Sequence, residues 1–304
     1  MKKILSLILC LSMLLAFGSC NGEAPFEDKP ESPTSGSTPE ETPVETPEET
    51  DENVPDETGL RYQAHRGVST EFPENTLPAF RAAIDQGYKF IELDPNFTLD
   101  QRCVIMHDST INRTCRLENG DKISGSNISI GSISYPDLLQ YDAGIFKGSM
   151  FKGTKVPLLS EVADLVAGTG VALKLDNKIQ KFNDAQLEVI FTIAELSDAD
   201  IGFTCKDMKF VEKVTSRLPN ATIHYDGYVS DEILDQLRAF ATEDREIYVW
   251  MKLDSAKEDI CAKIKEFGYL GIWILSTEEQ LQKAIECGAD VIETNGELKP
   301  PKAN

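Results

Sequence analysis

Histidine is nearly absent from this chain, with three residues among 304. No other side chain has an unperturbed pKa between pH 5 and 8, so proton transfer near neutrality is confined to very few positions. Tryptophan is scarce as well, at two residues. The seven cysteines contain no Cys-x-x-Cys pair, which argues against a structural zinc site. No apolar run reaches the roughly 20 residues that cross a bilayer; the N-terminal run, residues 4–17, is shorter. Basic residues number 30 against 51 acidic ones, and they form no cluster, which argues against nucleic acid as a partner.

What the N-terminus does contain is a targeting pattern. Lys2 and Lys3 precede the apolar run, and Gly18-Ser19-Cys20 follows it. A basic start, a short apolar core and small residues before a cut describe a signal peptide over residues 1–20. The Cys20 position resembles a bacterial lipobox, although Phe17 stands where Leu is commoner, and Cys20 is the expected lipidation site. A cleaved secretory signal without lipid is the alternative. Residues 21–58 carry 13 acidic residues against Lys29 alone and are rich in Pro, Thr and Glu. Such a segment is too polar to bury a core, and it reads as a disordered acidic tether. Both segments point to the bacterial cell envelope, with a membrane anchor and a domain facing the periplasm or the cell surface. Cysteines 103, 115, 205, 261 and 287 remain in the body. An oxidising envelope permits a disulfide without naming a pair, and small buried thiols are the default.

Residues 59–304 alternate β-rich runs with amphipathic helical stretches. Strands are expected at 62–65, 89–98, 103–107, 170–176, 201–205, 221–225, 247–253, 269–275 and 290–294. Helices are expected at 75–86, 184–195, 206–217, 230–241, 257–267 and 278–287. Strand and helix repeated about eight times over ~245 residues is the count of a TIM (β/α)8 barrel. A doubly wound sheet is the alternative. Polar residues recur at the C-terminal ends of the strands, and a barrel gathers those ends at one mouth. Residues 109–159 break the alternation. A structureless loop of that length is unusual, so a small inserted subdomain after the second strand is expected.

Two of the three histidines, His65 and His107, end short apolar runs within one stretch. Between them lies Glu92-Leu93-Asp94. On a strand that spacing puts both carboxylates on one face. Paired oxygens on a rigid face suit a hard divalent cation, and two imidazoles suit acid and base. A strand-end His is also a common structural hydrogen-bonder, and Glu-x-Asp a common solvated face; the combination is what carries the chemical reading.

The order Ala-His-Arg-Gly (64–67), Pro-Glu-Asn-Thr-Leu-Pro-Ala-Phe (73–80), Glu-Leu-Asp (92–94) and His-Asp-Ser-Thr-Ile-Asn-Arg-Thr (107–114) resembles the glycerophosphodiester phosphodiesterase family. The likeness continues through Val-Pro-Leu-Leu-Ser-Glu-Val (156–162), Gly-Ile-Trp-Ile-Leu-Ser (271–276) and Gly-Ala-Asp-Val-Ile-Glu-Thr-Asn (288–295), covering roughly residues 62–300. The resemblance implies metal-dependent cleavage of glycerophosphodiesters to glycerol 3-phosphate and an alcohol. It implies His65 and His107 as the acid–base pair, Arg66 at the phosphate, and Glu92 and Asp94 on Ca²⁺ or Mg²⁺. The family's third ligand is usually a Glu two residues before a Lys. Here Asp176 takes the Glu place and Lys178 keeps the Lys place, beside the phosphate. The related sphingomyelinase D-like phospholipases have Asp there, which favours an alternative that acts on a lysophospholipid and stops at a cyclic phosphate. A non-catalytic envelope binding protein on the same barrel is a reading from another class.

Other candidates carry two readings each. His224 is either structural or lines the pocket. Trp273 is a core residue or an apolar wall for the glycerol or head group. Glu74 faces the site or supports the start of the first helix through its charge. Lys252 and Asp254 are candidates for an ion pair at the pocket rim.

Overall fold

A computed structural model of the protein describes residues 59–301. In chain order the elements are β1 (Arg61–His65), α1 (Leu77–Asp85), β2 (Phe90–Leu93), β3 (Pro95–Phe97), β4 (Cys103–Ile105), α2 (Tyr135–Leu138), α3 (Leu159–Val166), β5 (Ala172–Leu175), α4 (Asp184–Leu196), β6 (Ile201–Cys205), α5 (Met208–Arg217), β7 (Ile223–Tyr225), α6 (Asp231–Phe240), β8 (Ile247–Lys252), α7 (Glu258–Lys265), β9 (Tyr269–Trp273), α8 (Glu278–Glu286) and β10 (Val291–Thr294). Eight parallel strands close into a barrel in the order β1-β2-β5-β6-β7-β8-β9-β10. The expected TIM barrel is therefore the fold, and the doubly wound sheet is not. The signal-peptide, tether and Cys20 expectations fall outside the described residues. Among the described residues no helix is long and apolar enough to cross a membrane.

Helix starts on the mouth side are fixed by side-chain caps. Asn183, Asp207, Ser230 and Thr277 each accept a backbone N–H from three residues on, at the starts of α4, α5, α6 and α8. Such a cap contributes about 1 kcal/mol and sets where each βα loop stops. The first helix begins at Leu77 rather than at the expected residue 75. Asn75 has φ 57, a left-handed conformation that a helix cannot include.

The expected strand over residues 89–98 is two strands. β2 stays in the barrel, whereas β3 pairs antiparallel with β4 in a separate two-stranded sheet. The break falls at Asp94-Pro95, and a proline has no N–H to give a central barrel ladder. The strand expected at 103–107 is β4 of that separate sheet and does not join the barrel. This small sheet opens the insertion. A second apolar cluster of Val104, Met106, Ile111, Cys115, Ile130, Leu138 and Val156 fills it. Asp142 ties its far loop by accepting backbone N–H groups from Gly144, Ile145 and Gly153 at 2.8, 2.8 and 2.6 Å. Burial pushes that carboxyl up, but the three donors outweigh it and hold it below the usual range. The five body cysteines are all free thiols, four of them buried.

The barrel interior is filled by large rings, Phe90, Tyr248 and Trp250, from two strands. Their neighbours make room: a Cβ on Gly271 would overlap the Trp250 indole, and one on Gly202 would overlap the His224 imidazole. Overpacking a filled core typically costs about 1–3 kcal/mol. Gly271→Ala is expected to lower the urea unfolding free energy by that amount, and an unchanged midpoint and slope would show that the ring is not wedged there.

Candidate active site

The site lies at the C-terminal ends of β1, β2, β5 and β10, which are contiguous around the barrel. His65 closes β1, Glu92 is on β2, Asp94 follows it, and Asp176 follows β5. Period-two alternation puts Phe90, Glu92 and Asp94 on one face, and Ala172, Lys174 and Asp176 on the matching face of the neighbour. Glu92 is directly paired in register with Lys174. Ligand oxygens of Glu92, Asp94 and Asp176 all lie within 4.8 Å of one another. Glu92 and Asp94 are buried.

Two sharp backbone turns build the surroundings. Arg66 has φ 61 and Gly67 has φ 77, and a Cβ on Gly67 would overlap Ala79 of α1. The turn brings the Arg66 N–H onto Glu92, at 3.0 Å to its carbonyl and 3.2 Å to Oε2. Asn75, also left-handed, grips Asp94 at both ends: its Nδ2 donates to Oδ2 at 2.8 Å, and its Oδ1 accepts the Asp94 N–H at 3.3 Å. Arg66 Nε lies 3.3 Å from Asp94 Oδ2, and Lys178 Nζ lies 2.6 Å from Oδ1. Lys178 Nζ also donates to the His107 carbonyl at 2.9 Å. The two cations assigned to phosphate thus border the carboxylate cluster and are partnered with Asp94.

The electrostatics divide the cluster. Burial pushes Asp94 up, but Lys178 and Arg66 outweigh it and hold the carboxyl below its ordinary range. Glu92 has no such pair. Burial, then the charges of Asp94, Glu293 and Asp176, raise it well above the ordinary value against Lys174 alone. Asp176 accepts the Lys178 N–H at 3.0 Å, while the Lys178 ammonium stands 4.0 Å away. Asp176 is thus both a member of the trio and the cap of the turn that presents Lys178.

Each mouth histidine is held by Nδ1. His65 Nδ1 lies 2.7 Å from Asn295 Oδ1, and its Nε2 lies 3.8 Å from Glu92 Oε2. An amide oxygen only accepts, so Nδ1 carries the hydrogen and Nε2 is the free base facing Glu92. His107 Nδ1 lies 2.7 Å from Asp108 Oδ1, which fixes the same tautomer. Asp108 is itself gripped by Arg113, whose hydrogen bonds hold its carboxyl down at about 2. A cleft of about 530 Å³ opens beside His107, Asp108, Lys178 and Phe182.

Asn75, Asp108, Arg113 and Asn295 were not expected as positioning groups, although all four sit inside the motifs quoted above. Glu74 does reach the site, through Arg66 Nη1 at 3.0 Å and Arg113. His224 does not line the mouth. It is 1% exposed inside the barrel, stacked 4.9 Å from Tyr248, and it accepts the Trp250 indole N–H at 3.0 Å. Trp273 is half-buried at the end of β9, beside β10, and donates to Asp226 Oδ1 at 3.1 Å. Lys252 lies 5.5 Å over the Trp273 ring.

Residues 65–224, just over half of the chain, match the model of the glycerophosphoryl diester phosphodiesterase family. A glycerophosphodiester phosphodiesterase of Caldanaerobacter subterraneus is 26% identical over 241 residues, spanning 76% of this chain and 92% of that protein. A phosphodiesterase of Oleispira antarctica, solved with its product sn-glycerol-3-phosphate, has a TM-score of 0.64 at 20% identity, over 78% of this chain and 93% of that one. A glycerophosphoryl diester phosphodiesterase of Parabacteroides distasonis has a TM-score of 0.63 at 18% identity, over 80% and 85%. The match of the His65-to-His224 segment, on a barrel that gathers its carboxylates and histidines at one mouth, places the chain in the glycerophosphoryl diester phosphodiesterase family.

Proposed function

We propose that this enzyme hydrolyses glycerophosphodiesters to glycerol 3-phosphate and an alcohol, with a divalent cation on Glu92, Asp94 and Asp176 and with His65 and His107 as the acid–base pair. The observation that carries this reading is the three-carboxylate cluster within 4.8 Å, at the same barrel mouth as two imidazoles held by Nδ1. The donor set fits a hard cation such as Ca²⁺ or Mg²⁺: it is all oxygen, and Glu92 is a buried carboxylate whose charge is not offset by a direct side-chain cation. When bound, such an ion would polarise a phosphoryl oxygen and acidify a nearby hydroxyl.

The chain's own groups do the rest. One imidazole Nε2 accepts the proton of the attacking hydroxyl, which is water or the substrate's own neighbouring hydroxyl. The other, protonated, gives its proton to the departing alkoxide as the P–O bond breaks. Asn295 and Asp108 hold both rings in the tautomer that leaves Nε2 available. Arg66 and Lys178, standing on either side of Asp94, offset charge that builds on the phosphoryl oxygens. The product bound to the Oleispira antarctica relative supports the proposed product class.

A second reading keeps the site but ends at a cyclic phosphate, acting on a lysophospholipid. Asp176 in the usual Glu place favours it, and phosphorus NMR of the product separates the two. The signal-like start, with Cys20 behind Gly-Ser, supports a lipid-anchored envelope location. Cys20→Ser is expected to shift the full chain from the membrane to the soluble fraction; retention of the Ser variant in detergent extracts would point to a different anchor.

His65→Ala and His107→Ala are each expected to lower turnover by about 10²–10⁴-fold with the fold intact. Near-full activity of either variant, with circular dichroism unchanged, would remove that residue from the mechanism.

Chelation is expected to abolish turnover, and Ca²⁺ or Mg²⁺ to restore it. The same ions should raise Tm, by about 2.7 kcal/mol of stability at a hundred times Kd. Asp176→Asn should weaken both effects together. Glu92 also sets a sign for pH. Its folded pKa lies above its unfolded one, so the folded state binds the extra proton. Metal-free protein should therefore gain stability as pH falls from the elevated Glu92 pKa toward about 4.5, and bound metal should abolish that slope. Full activity after exhaustive dialysis against EDTA, with no Tm response to either ion, would remove the metal.

A further inference from the structure

The mouth contains a guanidinium that neither the acid–base pair nor the carboxylate cluster accounts for. Arg113 lies in the insertion, five residues after Asp108. Its Nε and Nη2 donate to Asp108 Oδ2 and Oδ1 at 2.7 and 3.1 Å. Its Nη1 and Nη2 donate to Glu74 Oε2 and Oε1 at 2.7 and 2.8 Å. One planar group is thus bidentate to two carboxylates at once. Each carboxylate passes the constraint on. Asp108 Oδ1 holds His107 Nδ1 at 2.7 Å, and Glu74 Oε1 holds Arg66 Nη1 at 3.0 Å.

We propose that Arg113 is a positioning residue that sets the orientation of both His107 and Arg66, so that the insertion aligns the reacting end of the site. The proposal rests on the acid–base reading of His107 given above. Hydrogen bonds and one ion pair, Arg66 Nε to Asp94 Oδ2 at 3.3 Å, form a closed circuit. It runs from His107 through Asp108, Arg113, Glu74 and Arg66 to Asp94, and returns through Lys178, whose Nζ bonds both Asp94 Oδ1 and the His107 carbonyl. Arg113 is the link that the insertion contributes. Isolated surface ion pairs are worth little, but a bidentate fork inside a network is directional. With Arg113 removed, the Asp108 carboxylate can turn about its own bond and take the imidazole with it. Glu74 then holds Arg66 with no second anchor. A lysine does not substitute, because an ammonium is a point charge and cannot fork to two carboxylates in one plane.

The test uses the full chain with its divalent cation present. Wild type, Arg113→Ala and Arg113→Lys are compared by kcat and KM on a glycerophosphodiester, by Tm, and by ¹⁵N-histidine NMR. With three histidines in the chain, each ring is separately observable. The Ala variant is expected to lose about 10–100-fold in kcat, the scale of a small misplacement of a reacting group. Its Tm should stay within a few degrees, the scale of a surface pair in a domain of this size. The Nδ1–H signal of His107 should broaden, while the Nδ1–H of His65 and the Nε2–H of His224 hold. Added guanidinium ion should recover part of kcat, and the Lys variant should behave like Ala. An unchanged kcat with an unchanged His107 signal overturns the proposal. So does a loss of kcat that tracks a collapse of Tm and is not recovered by guanidinium, which is a purely structural role. If wild type turns over no diester, the functional reading fails, and the His107 signal in the Ala variant still decides the positioning claim.

Discussion

Three carboxylates crowded at one barrel mouth set the terms for everything near them. At separations under 5 Å, each like-charged pair costs about 3–4 kcal/mol at an effective dielectric of about 20. The fold offsets that repulsion unevenly. Asp94 is offset by two cations and by the Asn75 Nδ2 donor. Glu92 is opposed only from below, by Lys174, and keeps a raised pKa. The imbalance is informative. A purely structural cluster would be neutralised at every member, as the Arg217 pairs on the outer helices are with Glu188 and Glu195. Here the deficit is concentrated at the buried oxygens nearest the His65 Nε2, where an added positive charge would bring the most stabilisation.

The histidines obey a related constraint. A ring that is to exchange protons must keep one nitrogen free, so the other must be tied. Both mouth rings are tied at Nδ1, but by different partners: a neutral amide for His65 and a carboxylate for His107. Arg113 in turn grips the Asp108 carboxylate with two of its nitrogens. The insertion therefore reaches beyond covering the mouth. It supplies the counter-charge that distinguishes one ring from the other, and its own core and the Asp142 loop hold that counter-charge in place.

Most of this architecture was legible in the sequence. β6 falls at the expected residues, and the other barrel strands and the expected outer helices lie within a few residues of expectation, because period-two and period-3.6 patterns were uninterrupted there; α3, at the end of the insertion, was not expected. The failures have local causes. The run over 89–98 looked like one strand because its residues favour strand throughout; the break at Asp94-Pro95 is a matter of which sheet the chain joins, and Pro95 was the available signal. The start of α1 was misplaced because a left-handed Asn75 leaves no periodic trace. Strand alternation put Glu92 and Asp94 on one face, and the family resemblance added Asp176. Asn295 and Arg113 could not be placed in that way. The first acts across 230 residues and the second from an irregular insertion, and no spacing rule connects either to its partner.

The interior layer beneath the mouth resolves the role of the third histidine. Lys174 is buried, with its ammonium 3.1 Å from Glu293 Oε2 and 3.8 Å over the Trp250 ring. A buried ion pair is weak support for stability, because desolvation cancels much of the attraction. Its position is better explained by its field: it places positive charge under Glu92 without occupying space at the mouth. The same charge acts on His224. Burial first, then Lys174 and Arg61, hold that imidazole well below its ordinary pKa. The Trp250 indole donates to its Nδ1, so the single ring hydrogen is on Nε2 and the ring is neutral. A neutral imidazole in a closed interior exchanges no proton with a substrate. The charge that supports the carboxylate cluster from below thus also removes His224 from the chemistry, and it leaves His65 and His107 as the two imidazoles at the mouth.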